Sequence, residues 1–82
     1  MVDVSFENSF KKTFSKINDE LLKLKIKKQI KKIVKTPNIG KPMRNVRKGT
    51  REVYVSPFRI SYIFLDVKKE IIFLEIYHKD KQ

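Results

Sequence analysis

Apolar and polar positions alternate with a period of two over the last third of the chain. From Arg51 to Ser56, Val53 and Val55 fall on one side and Glu52, Tyr54 and Ser56 on the other. Ile60, Tyr62 and Phe64 repeat the apolar side, and Asp66–Lys69 separates them from the apolar run Ile71–Tyr77. This alternation, the β-branched and aromatic enrichment, and the turn residues at the joints predict an antiparallel meander of short strands. A two-residue turn at Pro57-Phe58 would pair Ser56 with Arg59, Tyr54 with Ser61 and Glu52 with Ile63. Glu52, Tyr54, Ser56, Arg59 and Ser61 would then share one face. The last strand has two possible phases. Burying Ile72, Leu74 and Ile76 sends Glu75 and Tyr77 to the polar face and leaves His78 past the ladder; burying Ile71, Phe73 and Tyr77 brings His78 beside Arg59.

Upstream, the pattern changes. Val2, Val4 and Phe6 alternate and predict a short first strand, after which Asn8 or Ser9 is placed to cap a helix. Phe10, Phe14 and Ile17 form the apolar stripe of that helix, while Lys11, Lys12 and Lys16 lie off it. A second helix is predicted over roughly 19–35, with Asp19 and Glu20 in its first turn, where the helix dipole favours acids. Leu22, Ile26, Ile30 and Ile33 make its apolar face, and lysines 23, 25, 27, 28, 31, 32 and 35 make the other. Two prolines and a glycine between Pro37 and Pro42 end it. The predicted fold is α+β: a short N-terminal strand and two helices packed on one face of an antiparallel three- to four-stranded sheet.

Length and charge narrow the function. Eighty-two residues make a single domain spanning 1–82. With no cysteine and one histidine, neither a disulfide framework nor a thiolate zinc site is expected, and no metal or other cofactor. No apolar run reaches the ~18–20 residues of a membrane span, and no basic-then-apolar leader opens the chain, so the cytoplasm is expected. The net charge of +11, from 20 Lys+Arg against 9 Asp+Glu, favours a polyanion or an acidic protein as partner. A basic segment, Lys41 to Gly49, runs into the sheet with Lys41, Arg44, Arg47 and Lys48 and no acid. With Arg51 and Lys79, these are the candidate nucleic-acid contacts.

The polar face holds one arginine, one carboxylate and a phenol, a set suited to phosphodiester chemistry. Arginine clamps a phosphate and offsets charge developing in the transition state. Histidine, tyrosine or glutamate can move the proton of a ribose 2′-hydroxyl or of the leaving oxygen. Candidate catalytic residues are therefore Arg59, His78, Tyr77, Glu52 and Tyr54.

The order of these features resembles the RelE/ParE toxin superfamily. The resemblance rests on a short strand, two helices with the second basic, then Arg51-Glu52-x-Tyr54, Phe58-Arg59-Ile60-Ser61-Tyr62 and a last strand ending Ile76-Tyr77-His78-Lys79. It implies the toxin of a type II toxin–antitoxin pair with an acidic, partly disordered cognate antitoxin. RelE-like and YoeB-like members are metal-independent endoribonucleases that cut mRNA on the ribosome; ParE-like members poison DNA gyrase without nuclease activity. By motif position, Arg59 matches the catalytic arginine and His78 the proton-transferring histidine of the YoeB-like nucleases. Glu52 and Tyr54 stand where RelE-like members carry lysines. The linker holds no glutamate, which leaves Glu52 as the candidate base. A third class is an inactive basic binding module.

Overall fold

The computed structural model describes residues 2–42 and 49–79. In chain order it contains β1 (Asp3–Phe6), α1 (Asn8–Lys16), α2 (Glu20–Lys35), a 3-10 turn (Pro37–Ile39), β2 (Lys41–Pro42), β3 (Arg51–Val55), β4 (Phe58–Leu65) and β5 (Glu70–His78). The strands form one five-stranded sheet in the order β1-β5-β4-β3-β2. The expected meander, β3-β4-β5, is its centre. β1 adds to the far edge of β5 in parallel, with Val4 opposite Ile71 and Phe6 opposite Phe73. The sheet is thus mixed and wider than three or four antiparallel strands.

Both helices cover one face. Asp19 caps α2 by accepting from the Leu22 amide at 3.1 Å, and Pro37 follows the helix. Neither Asn8 nor Ser9 caps α1. Glu7 holds the N-cap position without a side-chain bond, and Ser9 donates its hydroxyl to the Leu74 carbonyl on β5 at 2.9 Å. Ile26 and Ile33 of α2 are fully buried against Ile60, Tyr62, Ile71 and Phe73 of the sheet. Phe73 stacks on Phe6 with centroids 5.0 Å apart and meets Phe10 at 5.6 Å, joining β1, α1 and β5 into one aromatic cluster.

A second tie fastens the end of α2. The buried Tyr62 hydroxyl donates to the Pro37 carbonyl at 2.7 Å and accepts from the Gly40 amide at 2.9 Å. A Cβ on Gly40 would lie 2.4 Å from that oxygen, so only glycine lets the turn pass this close. Arg51 reinforces the same turn, donating to the carbonyls of Asn38 at 3.2 Å and Gly40 at 2.8 Å.

Two features of register depart from the expected hairpin. The turn falls at Ser56-Pro57, so Val55 pairs Phe58, Tyr54 pairs Arg59 and Glu52 pairs Ser61. Proline has no amide to offer a ladder, which puts it in the turn and lets Phe58 begin the strand. Relative to a turn at Pro57-Phe58, every pair slips by two residues. An even slip conserves the face of every side chain, so Glu52, Tyr54, Arg59 and Ser61 keep their shared face, while Ser56 passes into the turn. In β5, Ser61 pairs Glu75 but Tyr62 pairs Phe73, leaving Leu74 as an extra residue. This bulge combines the two phases expected as alternatives: Ile71 and Phe73 are buried before it, and Ile76 after it. No helix among the described residues is long and apolar enough to cross a membrane.

Candidate nucleic-acid interface

On the face away from the helices, the register sets side chains in two rows. The first crosses the sheet as Tyr54, Arg59, Tyr77; the second as Lys41, Glu52, Ser61, Glu75. Cross-strand partners lie on the same face a few ångströms apart, so a guanidinium stands between two phenols and a hydroxyl between two carboxylates. A hollow of about 300 Å³ opens here, lined by Lys41, Glu52, Tyr54 and Arg59.

Glu52 is the buried centre of this arrangement, its side chain only 4% exposed. One carboxylate oxygen accepts from Arg59 Nη1 at 3.2 Å, and the other accepts the hydroxyl of Tyr77. A carboxylate this deep in the sheet needs such donors, because an unpaired buried charge is strongly disfavoured. Arg59 is 36% exposed along its side chain. It faces the hollow, with its Nε buried and, among the described residues, without a hydrogen-bond partner. Ser61 Oγ shares that condition.

Tyr54 is half-exposed at the mouth. Hydrogen bonding from Ser56 and then the positive charge of Lys79 hold its phenol below the ordinary tyrosine value. Lys79 places its ammonium 5.8 Å from the centre of the Tyr54 ring. These groups make a small basic mouth above a buried acid.

The structure therefore brings Arg59, Glu52, Tyr54, Tyr77, Lys41 and Lys79 together. It separates two others. His78 pairs with Phe58, one residue past Tyr77 and thus on the opposite side of the pleat, its ring edge-on to Phe58 at 5.8 Å. Arg51 holds the turn after α2, on the face opposite Glu52. Arg44, Arg47 and Lys48 lie outside the described residues.

The sequence reading missed a second concave surface. Phe6, Phe14 and Ile30 leave part of their area uncovered, over a buried Phe10, in a groove of about 430 Å³ rimmed by Lys11, Lys27 and Lys31. The spacing of Lys27 and Lys31 at i, i+4 beside Ile30 carried that signal, but both helical stripes read simply as core.

A basic α+β domain with two helices on one face of such a sheet is the fold of RelE-type toxins. A chain of the intact Escherichia coli RelBE toxin–antitoxin complex superposes with a TM-score of 0.80 at 15% identity, over 95% of this chain and 96% of that one. The YoeB/ParE toxin of Agrobacterium tumefaciens gives 0.80 at 15% identity over 94% and 98%. The archaeal RelE–RelB complex of Pyrococcus horikoshii gives 0.78 at 10% identity over 99% and 98%. No curated protein matches significantly by sequence. The profile of the ParE toxin of the type II toxin–antitoxin system parDE matches residues 4–82. The chain belongs to this family and is a type II toxin of the RelE/ParE superfamily.

Proposed function

We propose that this toxin is an endoribonuclease that cleaves mRNA on the ribosome, using protein groups alone for charge and proton transfer. The observation that carries the reading is Arg59 on the open face, between Tyr54 and Tyr77 and beside the Glu52 carboxylate. In this reading Arg59 and Lys41 bind the scissile phosphate. Glu52 takes the proton of the 2′-hydroxyl, whose oxygen attacks phosphorus. The 5′-oxygen leaves with a proton from Tyr54, yielding a 2′,3′-cyclic phosphate and a 5′-hydroxyl. Tyr77 steadies Glu52, and His78, paired with Phe58 at the last rung of the ladder, is the alternative proton carrier only if the strand end turns it toward the open face. Lys79 and the basic segment carrying Arg44, Arg47 and Lys48 add backbone contacts. Each phosphate contact removed should flatten the log–log salt dependence of ribosome binding by roughly 0.7–0.9.

A cognate antitoxin, acidic and partly disordered when free, completes the pair. The groove between α1 and α2 suits an amphipathic helix of that partner, with apolar anchors on Phe14 and Ile30 and acids on the lysine rim. The relatives found in RelBE and RelE–RelB complexes support such a partner.

A second reading is inhibition of DNA gyrase without nuclease activity. The ParE profile favours it, as does the partial neutralisation of Arg59 by Glu52. Incubating purified toxin with programmed ribosomes, and separately with gyrase and supercoiled plasmid, separates the two. Cleaved message that becomes intact with Arg59→Ala supports the nuclease; intact message and trapped or inhibited gyrase would overturn it.

A further inference from the structure

Two polar atoms at the site are buried without a partner among the described residues: Ser61 Oγ and Arg59 Nε. Native interiors seldom leave donors in this state, and an exception calls for a use. Ser61 is fully buried and is the direct cross-strand neighbour of Glu52. Glu52 nevertheless turns away from it, to Arg59 Nη1 and the Tyr77 hydroxyl. A phosphate arriving at Arg59 competes for the same Nη1 and repels the carboxylate beside it. Glu52 then needs another donor within reach of a side chain anchored on β3. Ser61, directly across the ladder from Glu52, and Arg59 carry the two donors of the site that are buried and without a partner among the described residues.

We propose that Ser61 is a positioning residue, which receives the Glu52 carboxylate when an oxyanion displaces it from Arg59 Nη1. Glu52 thus exchanges between two sets of donors. In the first it covers the guanidinium, and the site rests closed. In the second, Ser61 and the Tyr77 hydroxyl hold the carboxylate, and its remaining lone pairs face the ligand, where a base must stand. The hydroxyl, without an acceptor in the resting state, gains one, and the transfer involves no covalent step. This assignment rests on the reading that Arg59 meets a phosphate, and it identifies the group that makes Arg59 available.

Glu75 is the other carboxylate opposite Ser61. It is not the group a phosphate at Arg59 would displace, so it serves as the control.

The test uses the full chain and a 2′-O-methyl RNA oligonucleotide, which binds without being cleaved. Its readouts are affinity by titration and the ¹⁵N-resolved Arg59 Nε–H resonance. Wild type should bind with a shift of that resonance. Ser61→Ala should leave stability unchanged or slightly raised, because the hydroxyl has no partner to lose, yet weaken the oligonucleotide about three- to tenfold. Glu52→Gln should bind more tightly than wild type, and Ser61→Ala should then have little further effect. In a Glu75→Gln background the full Ser61 effect should persist. Equal binding by Ser61→Ala and wild type, or a Ser61 effect that survives Glu52→Gln but vanishes with Glu75→Gln, overturns the assignment while leaving phosphate recognition by Arg59 intact. Absence of binding by both wild type and Glu52→Gln overturns the assignment and the nuclease reading together.

Discussion

Ser9 on α1 donates its hydroxyl to the main-chain carbonyl of Leu74, the one residue of β5 without a counterpart on β4, at 2.9 Å. A bulge leaves backbone groups outside the ladder, and these need a partner elsewhere. The helix therefore supplies the bond that the sheet cannot. Because Leu74 sets the phase of Glu75, Ile76 and Tyr77, this contact ties the covered face to the residue that decides which side chains reach the open one.

Ser9→Ala should accordingly lower stability by about 0.5–1.5 kcal/mol, read as a lower urea midpoint with an unchanged slope. It should also perturb the amide resonances of Glu75 and Tyr77. A midpoint equal to wild type would mean that the bulge holds without the helix.

Tyr62→Phe removes a donor to Pro37 in a part-buried setting and an acceptor for Gly40 in a buried one. A loss of about 1–3 kcal/mol is expected. Burial first of all pushes the Tyr62 phenol above its ordinary value of 10.0, opposed by the Gly40 amide and Arg51. The folded state thus holds this proton more tightly than the unfolded chain. Its contribution is fully present below pH 10 and is lost as pH rises through the higher folded value. Denaturation at increasing pH should show stability falling from about pH 10 upward, with a shallower fall in Tyr62→Phe.

Phe73→Ala should be the most damaging single change. The ring is fully buried and touches Phe6, Phe10 and Tyr62, so it links three elements. Truncating such a ring costs about 3–5 kcal/mol, a large share of what so small a domain holds. Circular dichroism should find the variant largely unfolded, or folded only with its antitoxin bound.

Replacing Lys27 and Lys31 together by alanine should weaken the antitoxin complex and reduce its sensitivity to salt, while toxicity in its absence remains. The two ammonium groups rim the groove between α1 and α2, on the side of the molecule away from Arg59. Isothermal titration at two salt concentrations measures both effects. An unchanged affinity would place the antitoxin elsewhere, over the open face.

Residue pattern alone determined the two helices, the meander and the membership of the open face. Asp19 and Pro37 mark the ends of α2 whatever it packs on, because capping and the loss of a proline amide are local effects. Glu52, Tyr54, Arg59 and Ser61 share a face under any even slip, so the misplaced turn at Pro57-Phe58 cost nothing at the site. Tertiary structure decided the rest. The bulge at Leu74 is met by a hydroxyl 65 residues away in the chain. It lets Phe73 and Ile76 both be buried while placing Tyr77 beside Arg59 and turning His78 to the other side. Glu52 was legible as a polar strand residue but not as a buried one. Its burial requires a phenol 25 residues distant and a guanidinium on the next strand, and solvation of a charge is set by what surrounds it in space.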